Sequence, residues 1–283
     1  MAASSRRSGC LVGTIMAAVG ILAGKVLFER WRAVPVAIRR QELLDVPVDP
    51  LTMEEALERI EAFIQSGAPH HIFTADASGI MCVQDDPELR AIVQQADLVT
   101  PDGAGVIIAS SFRGARLPER VSGVDLVDRI SALAARNGFR LYLFGAGDEV
   151  AEAAASVLTS RYPGLQIAGT HHGFFSHEEE DALVAEIAAT QPDVLFVALG
   201  IPKQEKFIRA HFHTLGASVM VGVGGSFDVI AGVLHRAPRW MQRAGLEWLY
   251  RLAQEPARFP RLAALPRFIV AAWQAAQRKD PAS

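Results

Sequence analysis

Residues Ala96–Gly105 read ADLVTPDGAG. Leu98, Val99 and Thr100 make a short apolar, β-branched run of the kind a buried strand carries. Pro101 ends the ladder, and Gly103 and Gly105 allow a tight turn into the apolar run Val106–Ala109. The pattern sets Asp102 at the C-terminal end of a parallel strand, where open α/β sheets bind their ligands. A carboxylate at that point can accept a proton from an incoming hydroxyl. Capping of the following helix is the plainer role open to the same residue.

The same strand-then-helix grammar repeats on both sides. Thr52 with Glu55 forms a capping box ahead of a helix over Met53–Ile64. His71–Thr74 reads as a strand with Asp76 just beyond it, and a proline-opened helix over Pro87–Gln95 leads to the Asp102 strand. Val124–Arg136 reads as a helix ended near Gly138. Leu141–Phe144, Leu165–Gly169, Val194–Ala198 and Val219–Val223 read as further strands. Helical segments at Glu149–Arg161, at Glu180–Ala189 behind a second capping box (Ser176, Glu179), and within Lys203–His213 separate them. The alternation predicts an α/β fold with a doubly wound, mostly parallel, Rossmann-like sheet. Val34–Pro50 reads as a proline-punctuated entry segment.

The chain has 283 residues, enough for one sizeable α/β core and additions. Half the residues are hydrophobic, and the formal net charge of -3 gives no global case for nucleic-acid binding. Cys10 and Cys82 are too far apart to suggest a metal cluster or a disulfide framework, so a reducing compartment is expected. Three units are expected: residues 1–33, 34–235 and 236–283. The first carries an uncharged, mostly apolar run over residues 9–24, interrupted by Lys25 and resumed to Phe28. It is read as a membrane anchor or interfacial helix, ahead of an over-extended start and of a cleaved signal. The basic residues that follow would keep the main body on the cytoplasmic side. The last unit interleaves Arg236, Arg239, Arg243, Arg251, Arg258, Arg261 and Arg267 with Trp240, Trp248 and Trp273.

Several loops at the carboxyl ends of the strands carry groups with chemistry. Thr74, Asp76 and Asp102 would open onto one sheet edge, bringing a hydroxyl and two carboxylates together. Asp76 on its own also fits a turn. LFGAGDEV, Leu143–Val150, runs from strand to helix through Gly145 and Gly147, which would let backbone N–H groups face a phosphate. Val150 stands where a dinucleotide fingerprint needs its third glycine, so the match is incomplete and a plain tight turn fits too. In GIPKQEKFI, Gly200–Ile208, Lys203 and Gln204 project near a helix start, where Gln204 can donate to sugar hydroxyls or phosphates. In VGVGGSFDVIAG, Gly224 and Gly225 permit close approach of a ligand, and Asp228 can accept from sugar or ribose hydroxyls. No histidine falls into a metal-ligand spacing; His171 and His172 are read as surface or packing residues that could reach the cleft. Arg251, Arg258 and Arg261 suit diphosphates, and with their aromatic neighbours also suit an anionic headgroup layer.

Taken together, ADLVTPDGAGV, RVSGVDLV, LFGAG, PDVLFVALGIPKQE, VGVGGSFDVIAG and RAPRWMQRAGLEWLYRL resemble the WecG/TagA/CpsF glycosyltransferases of bacterial surface-polysaccharide and teichoic-acid synthesis. The resemblance runs from about Asp45 to Arg261. It implies an inverting, metal-independent transfer from a UDP-sugar to a polyprenyl-diphosphate-linked sugar at the cytoplasmic face of the plasma membrane, with no cofactor. It implies Asp102 as general base and Thr74 as its partner in the pocket. It also implies Arg120 and Gln204 as substrate contacts, Asp228 facing the nucleotide-sugar, and Arg251, Arg258 and Arg261 on an appendage that closes over the site. Asp76 departs from the pattern, since the family usually carries asparagine there. The donor sugar, the acceptor sugar and self-association stay open. Two other readings compete: a non-catalytic accessory subunit of a partner transferase, and a nicotinamide-dependent oxidoreductase, which the incomplete fingerprint disfavours.

Overall fold

The computed structural model describes residues 39–112, 114, 116–243, 246–254 and 264–278, with the backbone alone at Arg239, Arg243 and Arg251. The apolar run at 9–28, the unit 1–33 that contains it, Arg258 and Arg261 lie outside the described residues. The described chain opens on a hairpin, β1 (Gln41–Leu43) and β2 (Val46–Val48), within the proline-punctuated entry segment. Its turn residues Leu44 and Asp45 sit at φ 49° and 61°. Two positive φ values are what a tight hairpin needs, and sequence usually signals them with Asn-Gly. Leu-Asp gives no such signal.

The chain then alternates. Helix α1 (Met53–Ser66) precedes β3 (His70–Ala75); α2 (Ala77–Asp85) and α3 (Pro87–Gln94) precede β4 (Leu98–Pro101). Helices α4 (Ala104–Ser111) and α5 (Gly123–Asn137) lead to β5 (Arg140–Gly145), and α6 (Val150–Arg161) to β6 (Gln166–His171). Helix α7 (His177–Ala189) leads to β7 (Val194–Ala198), α8 (Lys203–Ala210) to β8 (Val219–Gly222), and α9 (Ser226–Ile230) follows. Strands β3–β8 form one parallel sheet in the order β4-β3-β8-β7-β5-β6. The expected doubly wound α/β fold is thus present. The capping box at Thr52 is made: its N–H donates to Glu55 Oε2 at 2.7 Å, and its hydroxyl accepts from the Glu55 amide.

Five strands, β3, β4, β5, β7 and β8, are buried on both faces, and their side chains alternate between the two. Ile72, Leu98, Leu143, Phe196 and Val221 point to the face covered by α1, α5 and α6. Phe73 and Val99 point to the other face, under α2, α3 and α4, as do Phe144, Val197 and Met220 under α7 and α8. The chain leaves β5 for the first face and β7 for the second, and leaves β8 for the first but β3 for the second. Loops diverging to opposite faces open a crevice along the carboxyl edge of the sheet.

The leading segment clamps the outer strand β4. Asp49, 1 % exposed, accepts from the Val99 amide at 2.8 Å, and Arg40 and Arg59 each approach its Oδ1 at 3.2 Å. Arg40 also donates to the carbonyls of Ala96 and Asp97. An edge strand that would otherwise offer unpaired backbone groups is therefore closed off and held in place.

Beyond α9 and a stretch of turns over 231–238, the described chain forms three helices, α10 (Arg239–Arg243), α11 (Glu247–Gln254) and α12 (Ala264–Arg278). Helix α12 packs on α2 and α4 and buries Phe268 completely and Ala272 almost so, within the cluster that holds Phe73 and Ile80. Close approach is possible because Gly105 has no side chain; a Cβ there would stand 2.6 Å from Leu265 Cδ1. Phe268→Ala is expected to cost about 3–5 kcal/mol, the usual range for emptying a buried aromatic site. Urea unfolding of the full chain checks this, and a loss under about 1 kcal/mol would show that α12 is dispensable to the core.

Candidate active site

Two adjoining cavities open along the carboxyl edge. One, about 340 Å³, is polar and glycine-lined, with Thr74, Gly147, Gln204, Gly224, Gly225 and Asp228 in its walls. The other, about 280 Å³, is walled by Ile108, Arg120, Glu247, Trp248, Leu265 and Ile269. Asp76, Ser78, Asp102, Val223 and Gly225 border both. The residues named from the sequence thus fall into place as follows. Thr74, Asp76, Asp102, Gly147, Gln204, Gly224, Gly225 and Asp228 share the polar chamber, while Arg120 belongs to the apolar one. Arg251 lies on α11 by its backbone, and Arg258 and Arg261 fall outside the described residues. The rings of His171 and His172 meet at a tilt, with centroids 4.5 Å apart, beside Phe174.

Asp102 sits where the β4 ladder ends. Its amide donates to the Ala75 carbonyl at 2.9 Å, and the Val121 amide donates to the Pro101 carbonyl at 2.8 Å. Gly103, not Asp102, occupies the N-cap of α4, and no side chain caps that helix. The Asp102 carboxylate turns instead to the start of α5, where Oδ2 accepts from the Gly123 amide at 2.9 Å. Its Oδ1 lies 3.8 Å from Arg120 Nε. Asp76 has two roles at once, lining the cleft and capping α2 through the Gly79 amide at 2.5 Å. Thr74 donates its hydroxyl to the Gly222 carbonyl at 2.7 Å, which fixes the neighbouring strand end.

Gln204 is 1 % exposed and works inward. Its Oε1 accepts from the amides of Gly200 and Gly224, both at 3.1 Å, so it ties the β7 loop to the β8 loop. Its Nε2 donates to Glu205 Oε1 at 2.8 Å, and Glu205 Oε2 meets His71 Nε2 at 2.5 Å. Gly222 has no side chain to obstruct this pair; a Cβ there would collide with both Gln204 and Glu205. Gly145 also answers to packing. It does not line either chamber, its φ is +116°, and a Cβ would stand 2.6 Å from the Ala198 backbone. The Ile201–Pro202 peptide that follows is cis.

An alternating run of charge leads from Asp102 to α11. Arg120 Nη2 donates to Glu247 Oε2 at 2.6 Å, and Glu247 Oε1 lies 3.6 Å from Arg236 Nε. Arg236 grips Asp125 with two parallel bonds of 2.5 and 2.6 Å, and Ser122 donates to the same carboxylate at 2.5 Å. Burial pushes the Asp125 carboxyl up, but hydrogen bonds from Arg236 and Ser122, with the Arg236 and Arg120 charges, outweigh it and hold it low. A carboxyl held low when folded adds stability that is complete at neutral pH and lost as pH falls through its folded value. Sequence reading named Arg120 but missed Glu247, Arg236 and Asp125 as members of the site. Among the described residues, no three His, Cys, Asp or Glu side chains come together as a metal-binding group.

Residues 41–281 match the model of the glycosyl transferase WecG/TagA/CpsF family. The chain belongs to this family. Among its relatives is an N-acetylglucosaminyldiphosphoundecaprenol N-acetyl-beta-D-mannosaminyltransferase of Bacillus subtilis (strain 168), 37% identical over 65% of this chain and 71% of that one. Proteins of the same name are 34% identical in Staphylococcus aureus (strain MW2), over 81% of this chain and 90% of that one, and 37% identical in Bacillus spizizenii, over 74% and 78%. The protein is therefore a glycosyltransferase, and its cleft is the place to seek the transfer chemistry.

In this glycosyltransferase the floor of the polar chamber depends on the Gln204 amide. Gln204→Ala would strand two loop N–H groups and one oxygen of a buried carboxylate. The expected loss is about 2–4 kcal/mol, since buried groups left without partners keep their full desolvation cost. Urea unfolding measures it; a loss under about 1 kcal/mol would mean that water takes over the amide's bonds.

Proposed function

We propose that this glycosyltransferase moves an N-acetylmannosamine-type sugar, or a related hexose, from a UDP-sugar to a polyprenyl-diphosphate-linked sugar, with inversion and without a metal. The observation that carries the reading is the position of Asp102 at the junction of a polar and an apolar chamber. The polar chamber, with its glycine loops and Asp228, suits a nucleotide-sugar. The apolar chamber suits the sugar end of a lipid-linked acceptor, with Arg120 available to its diphosphate. The relatives' shared name, which gives N-acetylglucosaminyldiphosphoundecaprenol as acceptor and an N-acetyl-beta-D-mannosaminyl group as cargo, supports the same assignment.

In this scheme Asp102 takes the proton of the acceptor hydroxyl as that oxygen attacks the anomeric carbon. The bond from that carbon to the β-phosphate oxygen breaks on the opposite side, and its electron pair leaves with UDP. The Gly123 amide orients the base, and Thr74 keeps the β3 and β8 ends in register beneath the sugar. Gly147 and Gly225 let the donor approach the backbone closely, whereas the Gly224 amide is already given to Gln204. Gln204 then acts on substrate through the loops it holds. Charge growing on the departing diphosphate needs fixed cations nearby, a role we assign to Arg251, Arg258 and Arg261 in the appendage 236–283. Asp76, with its second carboxylate beside the base, disfavours donors that carry an acid on the sugar.

Peripheral attachment to the membrane follows from a lipid-linked acceptor. Trp240, Trp248, Leu249, Val270 and Trp273 are all exposed large apolar side chains of the C-terminal helices, suited to a headgroup layer. No helix among the described residues is long and apolar enough to cross a membrane. The decisive test is acceptor-dependent release of UDP from a panel of UDP-sugars. Asp102→Asn is expected to lower transfer by about 10²–10⁴-fold, the usual worth of a general base, while UDP-sugar binding persists. Undiminished transfer in that variant would remove Asp102 as the base. Nucleotide binding without turnover by the wild-type chain would favour the accessory-subunit reading.

A further inference from the structure

Behind the polar chamber lies a buried carboxylate that the transfer scheme does not use. Glu205, on the first turn of α8, is fully buried, and its Oε2 meets Nε2 of His71 on β3 at 2.5 Å. Its Oε1 accepts from Gln204 Nε2 at 2.8 Å. Whichever partner holds the proton between Oε2 and the imidazole, Oε1 is left as an acceptor. A group that only accepts at that point fixes the Gln204 amide, nitrogen toward Glu205 and oxygen toward the Gly200 and Gly224 amides.

Both loops that meet this amide turn at glycine. Gly200 and Gly224 take left-handed backbone, at φ 76° and 51°. Glycine reaches that region at no steric cost, but it reaches others as readily. A Cβ at Gly224 would meet nothing within 4 Å, so neighbouring side chains do not confine that residue. The two N–H groups converge instead on one shared oxygen, 3.1 Å from each.

We propose that Glu205 is a positioning residue for the donor site: by holding Gln204, and backed by His71, it keeps the Gly200 and Gly224 loops in the arrangement that admits the nucleotide-sugar. This rests on the reading of the polar chamber as the nucleotide-sugar site, whose wall both glycines help to form. Without an acceptor at Oε1 the Gln204 nitrogen is stranded in the interior. The side chain then moves to find another partner, which releases both loops at once. A donor that binds one loop arrangement weakens in proportion to the fraction of molecules that keep it. Gln204, Gly200 and Gly224 do not line the apolar chamber, so the effect falls on the donor. The requirement is for an acceptor oxygen and not for a charge.

The test compares the full chain with two variants of similar length at this position. Glu205→Met offers Gln204 only a weakly accepting thioether. Glu205→Gln keeps an oxygen for Gln204 and turns its nitrogen to the imidazole. Two quantities are read: UDP affinity by calorimetry, and exchange of the Gly200 and Gly224 amide hydrogens by NMR, referred to Leu143 within β5. Glu205→Met is expected to weaken UDP about tenfold, as when one molecule in ten keeps both loops in place. It is also expected to speed both glycine amides relative to Leu143, while Glu205→Gln stays close to the wild type in both respects. Glu205→Asp, whose shorter arm cannot span His71 and Gln204, serves if the methionine variant does not fold, and is read in the same way. Unchanged UDP affinity in Glu205→Met overturns the proposal. So do unmoved glycine amides, or an equal acceleration at Leu143, which marks a general loosening of the sheet. A Glu205→Gln chain as impaired as Glu205→Met overturns it too, since an acceptor oxygen then does not suffice. The exchange measurement needs no ligand. Glycine amides that respond as expected in a chain that binds no UDP count against the nucleotide-sugar reading alone.

Discussion

The carboxyl edge of the sheet is organised by one buried side chain, the amide of Gln204. Parallel strands end in loops whose backbone groups have no ladder partner, and buried groups of that kind must be satisfied elsewhere. Gln204 satisfies two of them with one oxygen, drawing the Gly200 and Gly224 loops to a common point. Its nitrogen is oriented by Glu205, which is oriented in turn by His71 on β3. Three strands, β3, β7 and β8, are thereby keyed to the first turn of α8. The arrangement is possible only because Gly222 leaves room for both side chains. A site built on such an edge inherits its rigidity from this buried network.

The groups at the junction of the two chambers are held differently. Asp102 is fixed by the backbone at both ends, through its own amide to Ala75 and through its carboxylate to Gly123. Beyond it the partners are charged side chains in alternation, Arg120, Glu247, Arg236 and Asp125. Partly exposed ion pairs contribute little to stability individually, because solvent screens them and long side chains must be ordered. What they supply is orientation. Arg120, Glu247 and Arg236 each have two neighbours of opposite sign, so moving one changes the balance for the next.

Much of the fold was legible because the strands are buried on both faces and so read as unbroken apolar runs such as VLFVA at Val194–Ala198. Capping signals did the same for α1, whose Thr52 and Glu55 bond as their spacing suggests. The β1–β2 hairpin was not legible, since Leu44 and Asp45 adopt left-handed backbone that neither residue advertises. Helix α2 was hidden by its first turn, Ala77-Ser78-Gly79, which reads as more turn than helix. At the site, residues at strand ends could be named from topology alone, because a parallel sheet delivers them all to one edge. Contacts between distant segments could not. Arg120 meets Glu247 across 127 positions, and His71 meets Glu205 across 134, with nothing in the local sequence of either to mark the partner.

The appendage joins these two regimes. Helix α12 is held by apolar burial, with Phe268 enclosed in the same cluster as Phe73, so lifting it would open the core. Helix α11 is held by polar contacts: Glu247 to Arg120 and Arg236, and the Gln254 amide to the backbone of His235 in both directions at 2.8 Å. Each of those groups can exchange its partner for water at small net cost, whereas Phe268 cannot. One of the two helices is therefore fixed to the core, and the other can part from it more cheaply. The two helices differ in the kind of contact each makes, and the one held by polar contacts carries Glu247, which meets Arg120 at the edge of the cleft.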